Sequence, residues 1–311
     1  MSKPVDPKVA TWIARRRKEG WGEGEGAAYK PWLTVRSFGS RGVAHRFKSR
    51  DGRTQHLLST REYHCCLVLT WSDRVADIRE QYPLHDLEET QAIAAEVGYA
   101  HPAQTRKVRG RAVRREEPMT TDFLVTLADG AGGPPYVAVS VKPLDALHES
   151  AAKVDRTMEK AEIERVYWDR RGVPFRMVTD RELPADLVGN LDIVLPYRTL
   201  NADELKLSEA EVPHHLDYLY DELAAAPDVA LNRVCAATDY QLRFRTGTCL
   251  TLVWHAIGSK RWAVDLRARL DPDAPLRGLR RTAWPHGAPA PRPNASTALL
   301  QALTPTEERA A

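Results

Sequence analysis

Two segments with strand-like sequences place an aspartate near a lysine. The first, residues 121–125, contains Asp122, and the second, residues 136–142, ends at Lys142. Both are rich in β-branched side chains, while glycine, proline, alanine and aspartate make up residues 128–135 between them and predict a hairpin turn. Such a hairpin brings a carboxylate beside an ammonium group. A magnesium-dependent DNA nuclease needs both, since a carboxylate binds the metal and a lysine stabilises charge on the attacked phosphate.

The second strand is polar on one side and apolar on the other. Side chains alternate along a strand, so Ser140 and Lys142 share one side, whereas Val139 and Val141 point to the other. The polar side can therefore face a reaction site while the apolar side joins the core. The pattern leaves the register of the two strands open.

A third charged residue, Glu62, lies at the predicted start of a helix. Ser59 precedes it by three residues in a capping-box pattern, and Tyr63, Cys66 and Leu67 follow at helical spacing. Glu62 can simply cap the helix and complement its dipole, which is the more common role for a glutamate at this position. It can also be the second acidic ligand of a metal site. This segment alone favours the cap.

The 311-residue chain is long enough for two ordinary domains, and its net charge of +3 is too small to indicate a nucleic-acid partner. The distribution of basic residues is more informative. One group lies just before Asp122, where charge and counterion release could hold incoming phosphates. It comprises Arg106, Lys107, Arg109, Arg111, Arg114 and Arg115. On charge alone, a solvated flexible loop explains the same residues equally well.

The cysteines and the hydropathy pattern argue against several classes of protein. Cys65, Cys66, Cys235 and Cys249 show no CxxC spacing and no histidines at zinc-finger distances, so neither a structural zinc nor a disulfide framework is expected. The N-terminus lacks an apolar signal core, and no apolar stretch approaches the length of a membrane span. We therefore expect a soluble cytoplasmic protein without a membrane partner.

The remaining elements predict an α/β domain followed by a mainly helical one. A helix over residues 147–171 and a strand over 175–179 would join the hairpin in a mixed sheet with a crossover connection. Beyond Asp180, four helical segments and a strand-like run suit a winged-helix-type module. A proline-rich composition predicts that the C-terminal tail is disordered. The predicted boundaries are residues 1–182, 183–284 and 285–311.

Together, Glu62, Asp122 and the segment ending at Lys142 fit the carboxylate, carboxylate, xxK layout of restriction-endonuclease-like nucleases. More specifically, the chain resembles the TnsA family, the endonuclease subunits of heteromeric cut-and-paste transposases. The resemblance is carried by residues 30–35, 56–62, 77–84, 121–123, 139–143, 167–168 and 178–180. It continues more weakly through Trp254 and residues 260–266. Each motif is weak alone, but their order and combination are fairly specific.

The resemblance implies which residues act. The family's catalytic glutamate, aspartate and lysine correspond to Glu62, Asp122 and Lys142. Phosphodiester hydrolysis needs an activated water and stabilised negative charge, which two Mg²⁺ ions can supply, with Mn²⁺ able to substitute. Asp122 is expected to bridge the ions, Glu62 and the backbone carbonyl of Val141 to complete the ligands, and Lys142 to orient the water. Ser140 stands where the family pattern has glutamine, so it is expected to support the ligands only.

The resemblance also implies partners. In this family the endonuclease subunit cuts the 5′ ends of a transposon, a TnsB-type transposase handles the 3′ ends, and the C-terminal region contacts TnsB and the ATP-dependent regulator TnsC. The expected partners are therefore transposon-end double-stranded DNA, a TnsB-type transposase and a TnsC-type regulator. The alternatives are a stand-alone restriction or repair endonuclease of the same fold, and a non-catalytic DNA-binding assembly subunit. The C-terminal module argues against the first, and the three retained charged positions argue against the second.

Overall fold

The computed structural model describes residues 7–36, 43–108, 111–128, 135–144 and 151–282, and their side chains except those of 104–108, 111–115 and 151–155. The chain forms two compact units, of which the first extends to Glu182 and the second begins at Leu183. The predicted tail, residues 285–311, lies outside the described residues.

The first unit is a mixed α/β structure. Its helices are α1 (Pro7–Lys18), α2 (Thr60–Trp71), α3 (Leu87–Glu96) and α4 (Ala151–Asp169). Its strands are β1 (His45–Lys48), β2 (Thr54–Leu57), β3 (Val75–Pro83), β4 (Ala103–Val108), β5 (Arg111–Glu116), β6 (Thr120–Leu127), β7 (Tyr136–Val141) and β8 (Phe175–Val178). The mixed α/β class predicted from the sequence is confirmed.

A four-stranded sheet in the order β3-β6-β7-β8 forms the centre of this unit. β3, β6 and β7 are antiparallel neighbours, whereas β8 runs parallel to β7. Parallel neighbours require a crossover, and α4 supplies it. The predicted hairpin of β6 and β7 is confirmed, and Phe123 pairs with Val139 in the register that the sequence left open.

Apolar side chains cover both faces of the sheet. On one face the core cluster contains Leu84, Ile93, Ala94, Met119, Leu124, Ala138, Ile163, Tyr167 and Trp168. Phe123 and Val139 point to the opposite face by strand alternation, and both are fully buried. α2 contacts β3 and β7. Because each large buried side chain contributes about 1.5–3 kcal/mol, this packing fixes the strand ends that carry the charged residues.

The second unit is mainly helical. Its helices are α5 (Ala185–Val194), α6 (Val212–Ala225), α7 (Leu231–Gln241) and α8 (Thr248–Gly258), and β9 (Trp262–Ala263) pairs with β10 (Arg280–Arg281). α6 buries Leu216, Leu219 and Leu223, which recur at helical spacing. α8 passes so close to α5 that a Cβ at Gly258 would collide with the carbonyl oxygen of Val194. The predicted mainly helical module is confirmed.

The cysteines belong to the helices of the two cores. All four are buried and free. Burial raises the pKa of Cys66 and of Cys235 to about 12, so these thiols are neutral packing groups at ordinary pH. No helix within the described ranges is both long and apolar enough to cross a membrane.

Candidate active site

Asp122 and Lys142 lie side by side at the ends of paired strands. Lys142 Nζ is 3.4 Å from Asp122 Oδ2. The same oxygen accepts a 2.6 Å hydrogen bond from the backbone N–H of Val141, and the Ser140 hydroxyl lies 3.4 Å from it. About a fifth of each charged side chain is exposed, 16% for Asp122 and 20% for Lys142. The pair is therefore held firmly by β7 and is still accessible to a substrate.

Glu62 is both a helix cap and an electrostatic neighbour of Asp122. Ser59 Oγ accepts a 3.1 Å hydrogen bond from the Glu62 N–H and donates one of 2.9 Å to Glu62 Oε1. Glu62 Oε2 accepts from the Leu58 N–H at 2.8 Å and from the Gln81 amide at 3.0 Å. Burial, and after it the charge of Asp122, raises the pKa of Glu62 to about 7. The two interpretations of Glu62 are therefore compatible, because the cap holds the carboxylate near Asp122.

Lys142 is the positive charge among these acids. Burial lowers its pKa, but the carboxylates of Asp122, Glu164 and Glu62 outweigh that effect, so the pKa lies above the ordinary lysine value. These carboxylates therefore favour the ammonium form of Lys142.

Glu164 on α4 is a buried acid that the sequence did not single out. It is 4% exposed, and its Oε2 accepts a 3.3 Å hydrogen bond from the Thr121 hydroxyl. Thr121 in turn accepts from the indole N–H of Trp168 at 2.8 Å. Burial raises the pKa of Glu164 to about 7, with Lys142 lowering it and Asp122 raising it. Glu164 thus backs the pair of strands that carries Asp122 and Lys142.

Gln81 on β3 is the second residue that the sequence did not single out. It is 2% exposed, its φ is +50°, and its amide nitrogen donates to Glu62. Residues 74–84 alternate apolar and polar side chains, which is typical of a strand, and this pattern gives no sign of a left-handed residue.

The donor set suits a hard cation bound together with water and phosphate. In the described ranges, no three His, Cys, Asp or Glu side chains are grouped to hold a metal. Asp122 Oδ2 takes all the hydrogen bonds that described residues donate to this carboxylate, which leaves Oδ1 available. Mg²⁺ is commonly held by one or two carboxylates, waters and substrate phosphates. A cation would also offset the repulsion between Glu62 and Asp122, so these residues fit Mg²⁺.

The predicted DNA-binding residues belong to an antiparallel hairpin of β4 and β5, in which Arg114 pairs with Thr105 and Arg115 with Gln104. Arg106, Lys107 and Arg111 also lie in these strands, and Arg109 lies outside the described residues. The backbone is a two-stranded ribbon rather than the loop of the alternative interpretation. Contact with DNA stays a prediction.

The sheet carries a carboxylate beside a lysine, next to a helix with a second carboxylate, which is the layout that the sequence motifs led us to expect of a nuclease. The family model described as TnsA-like endonuclease N terminal matches residues 72–180, and the model described as TnsA endonuclease C terminal matches residues 182–266. The chain is also 37% identical over 242 residues to the Transposon Tn7 transposition protein TnsA of Escherichia coli, a match that covers 77% of this chain and 80% of that protein.

The chain therefore belongs to the TnsA family of transposon endonucleases. The N-terminal family match spans Asp122 and Lys142 but begins after Glu62. Of the three candidate residues, Glu62 is accordingly the one whose role depends most on the local geometry.

Proposed function

We propose that this chain hydrolyses phosphodiester bonds at the 5′ ends of a DNA transposon during cut-and-paste transposition, with two Mg²⁺ ions as cofactors. The observation that carries the proposal is the pairing of Asp122 with Lys142 across β6 and β7, tied by the 2.6 Å hydrogen bond from Val141. Membership of the TnsA family supports the endonuclease activity. The 5′-end assignment and the use of two ions rest on the family resemblance.

Three groups would hold the metal. Asp122 would bridge the ions, and Glu62 and the Val141 carbonyl would add one ligand each. When bound, Mg²⁺ lowers the pKa of a water and neutralises charge on the attacked phosphate. Glu62 can bind a metal ion only in its ionised form. A cation beside it would lower its pKa from about 7 and so favour that form.

Lys142 would act on the water and on the phosphate. Its ammonium group has three N–H donors, of which one faces Asp122 at 3.4 Å. The others can orient the attacking water and bind a phosphate oxygen on which negative charge develops. The surrounding carboxylates raise the pKa of Lys142 above the ordinary lysine value, which favours the ammonium form over a basic amine. Its contribution is orientation and charge stabilisation.

The partners follow from the same assignment. Transposon-end double-stranded DNA is the substrate, a TnsB-type transposase cuts the 3′ ends, and a TnsC-type ATP-dependent regulator controls the assembly. The basic ribbon of β4 and β5 immediately precedes β6 in the chain, so it could bind phosphates on DNA entering the site. The second unit would provide the contacts with the partner proteins.

The test is strand-specific cleavage of a transposon-end duplex with Mg²⁺ and the cognate transposase, comparing wild type with Asp122→Ala. We expect the variant to lose 5′ cutting by about 10³-fold, equivalent to several kcal/mol of metal-assisted stabilisation, while 3′ cutting persists. Asp169→Ala, which removes an exposed carboxylate at the end of α4, should cut like wild type.

Other results would favour the alternatives. Equal 5′ cutting by wild type and Asp122→Ala would remove Asp122 from the site and this mechanism with it. Efficient cutting by the wild type without transposase would identify a stand-alone nuclease. Absence of 5′ cutting in the complete assembly would identify a non-catalytic subunit.

A further inference from the structure

Gln81 has a backbone conformation that glutamine rarely adopts within a strand. Its φ of +50° lies in the left-handed region, where Cβ crowds the backbone in every residue except glycine. Its neighbours Glu80 and Tyr82 both remain paired with β6 in the same register. The sheet therefore continues through the distortion, and Gln81 lies across the strand pair from Asp122.

The Gln81 side chain is bound at both ends of its amide. Nε2 donates a 3.0 Å hydrogen bond to Glu62 Oε2, and Oε1 accepts one of 3.3 Å from the Thr120 hydroxyl. The Gln81 backbone carbonyl accepts from the Trp32 N–H at 3.3 Å. An ionised carboxylate can only accept, so the amide nitrogen is the end that faces Glu62, and the Thr120 hydroxyl donates to the amide oxygen. A donor is thus permanently presented to the candidate metal ligand.

The preceding residue shows what a purely structural polar group looks like in this strand. Glu80 is fully buried and forms a two-fold ion pair with Arg53, with both N–O distances 2.8 Å. It adopts an ordinary strand conformation and has no hydrogen bond to Glu62 or Asp122 within the described ranges. Gln81 differs in both respects. Unusual backbone conformations that persist in folded proteins occur often where a functional group must be held in place.

We propose that Gln81 is a positioning residue for metal binding, which clamps the Glu62 carboxylate in one orientation through its amide. The left-handed backbone is the conformation that brings this amide to Glu62 from a strand interior. The inference rests on the proposed function, because it requires Glu62 to be a metal ligand. Hydrogen-bond partners of metal ligands commonly change metal affinity or activity by about 10–100-fold when they are removed.

The test measures Mn²⁺ binding to the isolated full-length protein by electron paramagnetic resonance of the free ion. Gln81→Met keeps the chain length of the side chain but removes the donor. Gln55→Met is the matched control, since Gln55 is 1% exposed and its amide donates to the Ile78 carbonyl rather than to Glu62. We expect Mn²⁺ to bind at least about tenfold more weakly to Gln81→Met and as in wild type to Gln55→Met.

A second variant separates the amide from the backbone. Gln81→Gly removes the donor and at the same time accepts a positive φ without crowding. We expect it to bind Mn²⁺ as weakly as Gln81→Met, and both variants to need about tenfold more Mg²⁺ for half-maximal 5′ cutting while binding the transposase–DNA complex normally. Gln81→Gly also keeps the test available if Gln81→Met does not fold.

Two results would overturn the role of Gln81: wild-type Mn²⁺ affinity in its variants, or equal weakening in Gln55→Met. Glu62→Gln, measured in parallel, separates this failure from that of the proposed function. If Glu62→Gln binds Mn²⁺ like wild type, Glu62 is not a ligand and both inferences fail. If Glu62→Gln loses binding while the Gln81 variants keep it, only the role of Gln81 fails.

Discussion

The Asp122 carboxylate on β6 accepts a 2.6 Å hydrogen bond from the backbone N–H of Val141 on β7. Val141 directly precedes Lys142, so this one bond ties the candidate metal ligand to the strand that positions the candidate charge stabiliser. A backbone donor cannot rotate away, and a hydrogen bond to an ionised carboxylate is stronger than a neutral one. The carboxylate and the ammonium group are therefore positioned together.

Lys142→Met should lower the single-turnover rate of 5′ cutting by about 10²–10³-fold, since it removes a positive charge aimed at developing negative charge. Lys142→Arg should restore only part of the rate, because a planar guanidinium places its donors differently. Gel-shift measurement of the assembled complex would verify that binding is retained. A wild-type rate in Lys142→Met would mean that Lys142 is a lysine at the end of a strand, with no role in cleavage.

Glu62→Gln should separate the capping role of Glu62 from its role as a ligand. Glutamine also serves in a capping box, and an amide is less costly to bury than a carboxylate, so the melting temperature should be unchanged or higher. 5′ cutting should be lost. Ser59→Ala should behave differently, with the cap weakened by about 1 kcal/mol and the melting temperature lowered by about 2–4 °C. A Glu62→Gln variant that is destabilised but still cuts would show that Glu62 caps the helix and is not a metal ligand.

Local sequence patterns were sufficient for the elements that carry the site. Glycine and proline residues between two segments rich in β-branched side chains predicted the hairpin, and the pair Ser59 and Glu62 predicted the start of α2. Both predictions succeeded because these signals act over only a few residues. The register of β6 against β7 was not predictable in this way. It depends on which faces are buried against α2 and α4, which is a property of the whole unit.

Gln81 and Glu164 show why the rest of the site was not predictable. The side chain of Gln81 contacts Glu62 and Thr120, which are distant in sequence, so no local pattern marks this residue. Glu164 is one of several charged residues on α4, and only packing distinguishes it. A signal did exist, since Glu164 precedes Trp168 by four residues and therefore lies on the same side of the helix as this large aromatic residue.

Glu164→Gln should reduce the pH dependence of stability in the metal-free protein. The pKa of Glu164 is raised from 4.5 to about 7, mainly by burial, with Lys142 lowering it and Asp122 raising it. A raised acid pKa favours the neutral folded form, so its stabilisation is complete below pH 4.5 and is lost as the pH rises to about 7. The loss is at most about 3 kcal/mol.

Urea denaturation at both ends of this pH range would measure the difference. Glu164→Gln should lose less stability than wild type as the pH rises, because an amide does not ionise. Glu162→Gln is the control on the same helix, since Glu162 has a 36% exposed side chain and pairs with Arg165 at 2.7 Å. It should keep the wild-type pH dependence. Identical pH dependence in wild type and Glu164→Gln would contradict the shifted pKa.

Neutralising the ribbon should weaken DNA binding without changing its sequence preference. Alanine at Arg111, Arg114 and Arg115 would remove up to three phosphate contacts, which would reduce the slope of log affinity against log salt by up to about 2.7. Affinity for the transposon end and for an unrelated duplex should fall by similar factors. Fluorescence anisotropy between about 50 and about 200 mM KCl would measure both effects.

The control for the ribbon is a triple alanine variant of Arg165, Arg170 and Arg171, which changes net charge equally. These arginines pair with Glu162, Glu96 and Glu89 on the surface of the first unit. Their removal should leave the salt slope unchanged, because they do not belong to the ribbon. An equal decrease in both triple variants would assign the effect to net charge, and an unchanged slope in the ribbon variant would exclude phosphate contacts by β5.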